Sequence, residues 1–183
     1  KLLTDTLKAS SYQQYLVDLQ VIYHALEKGI REQMTQHSEL RKIYFPQLER
    51  NAAIQEDLNS TSMKGLPIHA SNVALNYAAH LSQLAQTYPI LLAAHAYVRY
   101  LGDLSGGMIL KKHVSKKWPD AVHFYDFSTL LKQTDRPSIN AFKELYKAQL
   151  DRLTVDLITR AELIHEVFLA FEHAENMLNA ISL

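Results

Sequence analysis

Three of the five glycines in the chain fall within six residues of a segment that is otherwise patterned as a helix. They are Gly102, Gly106 and Gly107, inside residues 91–112. An interior glycine costs a helix about 0.5–1 kcal/mol relative to alanine. Such a segment either bends or lets a flat object approach its backbone closely. Gly102 and Gly106 are four residues apart, so they share one helix face and leave it without side chains over about one turn.

Apolar residues recur at helical spacing along most of the chain, as in the first long segment from Tyr12 to Ile30. No segment shows the alternation of apolar and polar residues that is typical of a strand. We therefore predict an all-α protein, a single compact multi-helix domain over residues 1–183 with a glycine-kinked helix. The helices are predicted at residues 10–33, 49–58, 71–86, 89–116, 138–153 and 154–178.

The last predicted helix begins at Thr154, a residue type that is favoured at helix N-termini. The apolar positions of this helix are Leu157, Ala161, Ile164, Phe168, Phe171 and Leu178.

The composition excludes several classes of function. Lys plus Arg and Asp plus Glu are equal at 19 each, which argues against a general binder of nucleic acid or membrane surfaces. The absence of cysteine excludes disulfides, zinc–thiolate sites, iron–sulfur clusters and cysteine nucleophiles. No apolar run approaches the ~18–20 residues that span a bilayer, and no signal peptide pattern is present. We therefore expect a cytoplasmic protein without a membrane span.

A charged pair lies next to the glycines. Arg99 and Asp103 are four residues apart and can pair along the helix, which at a surface contributes only ~0.3–0.5 kcal/mol. The Asp103 carboxylate would project beside the glycine face and could hold ordered water next to a ligand. The alternative is that the glycines serve close helix packing and the charged pair is a solvated surface feature. Spacing alone does not decide between the two interpretations.

Lys143 and Lys147 are also four residues apart, on a later helix. A solvated helix face is the ordinary interpretation, and a two-point clamp for a dicarboxylate is the functional one.

None of the nine histidines forms an HExxH or another strong zinc spacing. His95 lies among small residues of the glycine helix and is interpreted as a hydrogen-bonded structural residue. His24, next to Tyr23 on the first helix, is the one histidine whose position suggests an axial metal ligand.

The segment AHAYVRYLGDLSGGMILKK, residues 94–112, resembles the signature of the haem oxygenases almost residue for residue. The segments IYHALEKGI at 22–30, IYFPQLERNAAIQEDL at 43–58 and INAFKELYKAQLDRL at 139–153 are similar to the same family. Most of the chain is covered by this resemblance, and a motif this long and unusual in composition is specific.

The resemblance implies that the glycine helix is the distal helix over a haem face. Gly102 and Gly106 then are the backbone positions of close approach. Asp103 corresponds to the carboxylate that anchors the distal water network and delivers protons, and Tyr23 and Arg99 correspond to its network partners. These three residues are the expected catalytic group.

The resemblance also implies the residues that hold haem. Tyr97 matches a pocket residue, and Phe171 falls at a pocket aromatic on the last helix. Lys143 and Lys147 match the basic positions that meet the haem propionates.

The implied reaction uses haem as both substrate and cofactor, together with dioxygen and reducing equivalents from an external donor. The products are a biliverdin, carbon monoxide and ferrous iron. The implied electron-donor protein is a ferredoxin, a flavodoxin or a flavoprotein reductase, and no nucleic-acid partner is expected.

The family's proximal histidine is expected upstream of Lys1, so no iron ligand is predicted within the chain. A non-catalytic haem- or tetrapyrrole-binding protein of the same fold is the alternative. A helical-bundle hydrolase acting on another small cofactor is disfavoured because the chain has no cysteine nucleophile.

Overall fold

The computed structural model describes residues 7–63 and 69–181. These ranges contain eight α-helices and four short 3-10 turns and no strand, which confirms the all-α prediction. The helices are α1 (Ala9–Gln33), α2 (Ser38–Ile43), α3 (Asn51–Leu58), α4 (Asn72–Thr87), α5 (Leu92–Lys117), α6 (Ser128–Thr134), α7 (Ile139–Asp151) and α8 (Leu157–Ala180). Among the described residues, no helix is long and apolar enough to cross a bilayer.

Helix α1 lies at the centre of the core and packs against α3, α4 and α5. Its buried apolar residues recur with helical spacing, as the sequence predicted, and they include Tyr12, Leu16, Leu19, Ile22 and Leu26. A Cβ atom at Gly29 would lie 3.1 Å from both Ala85 and Leu92. Glycine at this position therefore lets α1 approach α4 and the start of α5 closely.

Side-chain caps define the starts of α4, α7 and α8. Ser71 and Ser138 each accept a hydrogen bond from the backbone N–H three residues later, at 3.2 Å. The predicted cap of the last helix at Thr154 is wrong. Asp156 caps α8 instead by accepting from Thr159 N at 2.9 Å, while the Thr154 N–H donates to Glu39 at 2.6 Å.

Helix α8 presents much of its apolar surface outward. Six of its apolar residues are 44–83% exposed, namely Leu157, Ile158, Ile164, Phe168, Phe171 and Leu178. The residues that α8 buries include the polar Thr159 and Glu166. Most of the apolar positions predicted for the last helix therefore face away from the core.

Helix α5 positions the glycine face. It runs unbroken through all three glycines and is flanked by α7, α8 and the His123–Tyr125 turn. At 1.5 Å per residue it is about 39 Å long and extends along much of the domain.

Candidate functional site

The three glycines of α5 have different surroundings. A Cβ atom at Gly102 or Gly106 would meet no atom within 4 Å, whereas one at Gly107 would lie 3.3 Å from Tyr125 Cδ1 and 3.8 Å from Phe127. Gly107 therefore serves close packing, and Gly102 and Gly106 do not. Spacing left open whether the glycines serve helix packing or a bare ligand-facing surface. Close packing applies to Gly107, and the bare surface applies to Gly102 and Gly106.

Asp103 lies beside this bare glycine face and is bound from α1. The Tyr23 hydroxyl donates a hydrogen bond to Asp103 Oδ2. The Tyr23 ring is fully buried, with its centroid 5.7 Å from that of Phe124 and 6.0 Å from that of Tyr100. Because packing fixes the ring, the hydroxyl is held in place as a donor to the carboxylate.

Arg99 completes a three-residue cluster around the carboxylate. Its Nη2 lies 3.8 Å from Asp103 Oδ1, and its guanidinium lies 5.3 Å from the centroid of the Tyr23 ring. The predicted Arg99–Asp103 pair is confirmed. Of the two interpretations left open for it, the solvated surface pair is wrong, because the two side chains are only 8% and 11% exposed. Helix α1 covers the pair, which spacing within α5 could not reveal.

Burial controls the ionisation of this cluster. Burial raises the pKa of Asp103, while the Arg99 charge and the Tyr23 hydrogen bond oppose the rise. Burial also holds the pKa of Tyr23 well above its ordinary value, so its hydroxyl remains a donor at neutral pH. The Nε of Arg99 is buried and has no hydrogen-bond partner among the described residues. The cluster thus pairs a proton-accepting carboxylate with one fixed donor, Tyr23, and one nearby positive charge, Arg99.

Tyr97 lies five residues, about one and a half helical turns, before Gly102 and is 37% exposed. It lines a cavity of about 420 Å³ between α5, α7 and α8, together with Leu150 and Leu163. Neither Gly102 nor Gly106 lines this cavity. Tyr97 therefore extends from α5 to the cavity that α7 and α8 also border.

The two lysines lie on α7, which packs against α5. Lys143 is half-buried, whereas Lys147 is exposed and forms an ion pair with Glu144 at 3.0 Å. Phe171 is 54% exposed on α8. The structure brings Tyr23, Arg99 and Asp103 into contact, and the predicted roles of Lys143, Lys147, Tyr97 and Phe171 stay predictions.

Comparison with known proteins decides the family. The family model described as Heme oxygenase matches residues 1–180. The chain belongs to the haem oxygenase family. It is 33% identical over 184 residues to Heme oxygenase 1 of Synechocystis, covering 98% of this chain and 74% of that protein. It is also 32% identical to Heme oxygenase of Guillardia theta, covering 92% of this chain and 71% of the relative.

Solved structures of the haem oxygenase family share the fold. Heme oxygenase-2 from Synechocystis, in complex with heme and NO, superposes with a TM-score of 0.86 at 31% identity and covers 97% of this chain and 74% of that chain. Heme oxygenase from Leptospira interrogans gives a TM-score of 0.82 at 31% identity, covering 93% of this chain and 83% of that chain. The resemblance read from the signature segment is therefore confirmed over almost the whole chain.

The bare face fits the flat ligand of the haem oxygenase family. Gly102 and Gly106 leave open space where side chains would stand, and Asp103 offers a polar group at its edge. Met108 on α5 and Phe171 on α8 are exposed apolar residues of two helices that pack against each other. A planar apolar ligand with one reactive polar centre suits this combination.

His24 does not share this site. It lines a groove between α1 and α4 with Lys28 and Gln86, and neither Gly102 nor Gly106 borders that groove. Its neighbour on α1, Tyr23, points to Asp103 instead. His24 is therefore unsuited to bind an ion held over the glycine face.

Sequence reasoning missed a cluster of polar residues around His95, one turn before Arg99 on α5. The His95 Nδ1 and the Tyr77 hydroxyl are 2.9 Å apart, which confirms His95 as a hydrogen-bonded buried residue. The His95 Nε2 reaches Glu166 Oε1 at 2.7 Å, and His80 Nε2 reaches the same oxygen at 2.6 Å. These residues come from three helices, so no spacing in the sequence indicates the cluster.

Proposed function

We propose that this chain is a haem-degrading oxygenase. It binds haem and, with dioxygen and external electrons, opens the ring to biliverdin, carbon monoxide and ferrous iron. The observation that carries the proposal is the largely buried Asp103 carboxylate, held by Tyr23 and Arg99 at the edge of the bare glycine face. Bound haem supplies the iron at which dioxygen is activated.

Gly102 and Gly106 bring the ligand close to the helix backbone. A side chain at either position would stand between α5 and a flat ligand. With the glycine face this close, little space is left above the ring for bulk water. Gly102 and Gly106 would thereby keep bulk water out of the space between α5 and the ligand.

Asp103 moves the proton in the proposed mechanism. Its Oδ2 accepts from Tyr23, whereas Oδ1 lies 3.8 Å from Arg99 and remains able to accept from a water molecule. Such a water, fixed between Oδ1 and the ligand, carries the proton to the reacting centre. Tyr23 and Arg99 are positioning residues, because they hold the carboxylate rather than reach the ligand.

Lys143 and Lys147 bind the propionates in this proposal. Both lie on α7, and the Lys147–Glu144 pair is exposed enough to exchange its partner for a propionate at small cost. Two ammonium groups one helical turn apart would fix the rotation of haem and so select the ring carbon that reacts. Tyr97 and Phe171 supply contact to the ring edge.

The electrons come from a ferredoxin, a flavodoxin or a flavoprotein reductase. The chain has no cysteine and so lacks the thiolate ligands of an iron–sulfur cluster of its own. Turnover rates with each donor class, measured at equal donor concentration, identify which one serves the enzyme.

Haemin added to the full-length protein with a reductant and catalase tests the activity. We expect the Soret band to decay while biliverdin absorption and one equivalent of chelatable ferrous iron appear. Catalase excludes ring cleavage by free hydrogen peroxide. Tight haem binding with an unchanged Soret band under reducing, aerobic conditions would refute the oxygenase and favour the non-catalytic tetrapyrrole-binding alternative.

A further inference from the structure

Two histidines and a glutamate converge outside the proposed haem site. His80 on α4 and His95 on α5 both place Nε2 next to Glu166 Oε1 on α8, at 2.6 and 2.7 Å. The three potential ligand atoms lie within 4.8 Å of one another. We propose that His80, His95 and Glu166 form a binding site for a divalent first-row transition metal ion, with zinc as the best-suited probe.

The donor set matches this class of ion. Zinc binds imidazole nitrogen and carboxylate oxygen at about 2.0–2.2 Å, and two histidines with one carboxylate also suit ferrous iron, cobalt and nickel. A tetrahedral site at these bond lengths separates its ligand atoms by about 3.4 Å. Glu166 Oε1 now lies 2.6 and 2.7 Å from the two Nε2 atoms, so the carboxylate would have to move back by roughly 0.7–0.8 Å from each ring to admit an ion.

The charge of the cluster favours a cation. Glu166 is only 6% exposed, and its ion-pair partners in the described parts of the chain are histidines, with no lysine or arginine among them. Two hydrogen bonds to histidine rings offset the burial of this carboxylate, and a divalent ion would supply the positive charge that no lysine or arginine among the described residues provides there.

Tyr77 provides the outer contact that a metal-bound histidine requires. Its hydroxyl is 2.9 Å from His95 Nδ1. When Nε2 donates to Glu166, the hydroxyl donates to Nδ1. When Nε2 binds a metal, Nδ1 carries the proton and the hydroxyl accepts it. The hydrogen bond thus persists in both states, and only the tautomer of the ring changes.

The site has an entrance and an open coordination position. The His80 side chain is 27% exposed, so an ion can reach the cluster from solvent, and water can fill the fourth position. His173 flanks the entrance, with its ring 5.4 Å from that of His80 and stacked on Tyr77 at 4.3 Å. A bound ion would tie α8 to α4 and α5.

Metal titration of the full-length protein, with and without haem, tests the proposal. We expect one equivalent of Co²⁺ to bind and produce visible d–d bands that Zn²⁺ then removes. At a hundredfold excess over Kd, Zn²⁺ should raise Tm by about 5–10 °C, because only the folded chain presents the site. Co²⁺ binding and the Zn²⁺-dependent rise in Tm should both persist in the haem-loaded protein.

Two matched variants locate the ion. His80→Gln removes one ligand and retains an amide that can donate to Glu166, whereas His165→Gln removes an exposed histidine next in sequence to Glu166. We expect the Zn²⁺-dependent rise in Tm to fall at least threefold in His80→Gln and to remain in His165→Gln. Equal responses of the two variants, or no saturable binding by the unmodified protein, would overturn the proposal.

Nitrogen NMR of the histidine rings provides a readout that needs no variant. Zinc should shift the Nε2 signals of His80 and His95 and move the His95 proton to Nδ1. Unchanged signals of both rings at saturating zinc would place the ion elsewhere.

Discussion

The hydroxyl of Tyr23 donates a hydrogen bond to Asp103 across the contact between α1 and α5, joining residues that are 80 positions apart. Helix α5 supplies the bare glycine face and the carboxylate, but α1 fixes where the carboxylate points. The ring of Tyr23 is held in turn by Phe124 and Tyr100. The geometry of the proposed proton donor therefore depends on the core of the domain.

Tyr23→Phe removes the hydroxyl and keeps the packed ring. Because the lost hydrogen bond lowers the pKa of Asp103, this pKa should rise further above its ordinary value. The corresponding limb of the pH–rate profile for biliverdin formation should shift to higher pH. The free energy of unfolding should fall by about 1.5–3 kcal/mol, which is the range for hydrogen bonds to charged groups. Carbon NMR of the Asp103 carboxyl measures the pKa directly, and an unchanged or lower value would contradict the assigned role of Tyr23.

Asp103→Ala should separate binding from turnover. The bare glycine face and the α7 lysines remain, so haem affinity should change by less than about threefold, which is under 1 kcal/mol. Loss of the proton-carrying carboxylate should slow biliverdin formation by about 100-fold or more. Haemin titration measures the affinity and single-turnover absorbance traces measure the rate, with Glu56→Ala on the exposed side of α3 as the control. A normal biliverdin yield at a normal rate would exclude Asp103 from proton delivery.

The helices could be predicted because their apolar spacing is local information. The bounds of α1 and α5 agree with the sequence prediction to within a few residues. The orientation of α8 could not be predicted, because its outward apolar residues and its buried Glu166 depend on which partners surround it. Its cap was misplaced for a similar reason. Thr154 and Asp156 are both good N-cap residues, and the Thr154 N–H donates a hydrogen bond to the distant Glu39.

Part of the site is visible in the sequence. Arg99 and Asp103 share one helix, so their spacing alone predicted the pair that the structure confirms. Tyr23 entered only through the family resemblance, since a contact between distant helices has no signature in one sequence. The His80–Glu166–His95 cluster could not be predicted for the same reason, because its residues lie on three different helices.

Alanine substitutions at the glycines should separate folding from ligand binding. In Gly102→Ala or Gly106→Ala the new methyl group meets no protein atom, so the haem-free protein should gain about 0.5–1 kcal/mol in stability. Haem affinity should fall, because the methyl group stands on the bare glycine face. Urea unfolding and haemin titration provide the two measurements.

Gly107→Ala is the matched control for this prediction. Its methyl group would lie 3.3 Å from Tyr125, whose ring is buried and packs against Phe124 at 4.8 Å. The ring has little freedom to move aside, so the variant should not gain stability. A loss of haem affinity no greater in Gly106→Ala than in Gly107→Ala would argue against the bare glycine face as the haem surface.

Glu27 should make the stability of the protein fall as pH rises towards neutrality. Its buried carboxyl accepts from the backbone N–H groups of Arg50 and Asn51 at the start of α3. Burial raises its pKa from 4.5 to about 7. Between these values the folded chain binds more protons than the unfolded chain, so the free energy of unfolding decreases with pH. The shifted pKa of Glu27 adds about 3 kcal/mol to the free energy of unfolding below pH 4.5. This stabilisation is lost as the pH rises above about 7.

Glu27→Gln isolates this contribution, because the amide oxygen can still accept from Arg50 and carries no titrating proton. Urea unfolding of both proteins at pH 5, 6, 7 and 8 gives the difference in their free energies of unfolding. The difference should move in favour of Glu27→Gln as pH increases, since only the wild-type chain must then bury a charge. A difference that is constant with pH would show that Glu27 titrates alike in the folded and unfolded chains, and the burial of its charged form would then carry no cost.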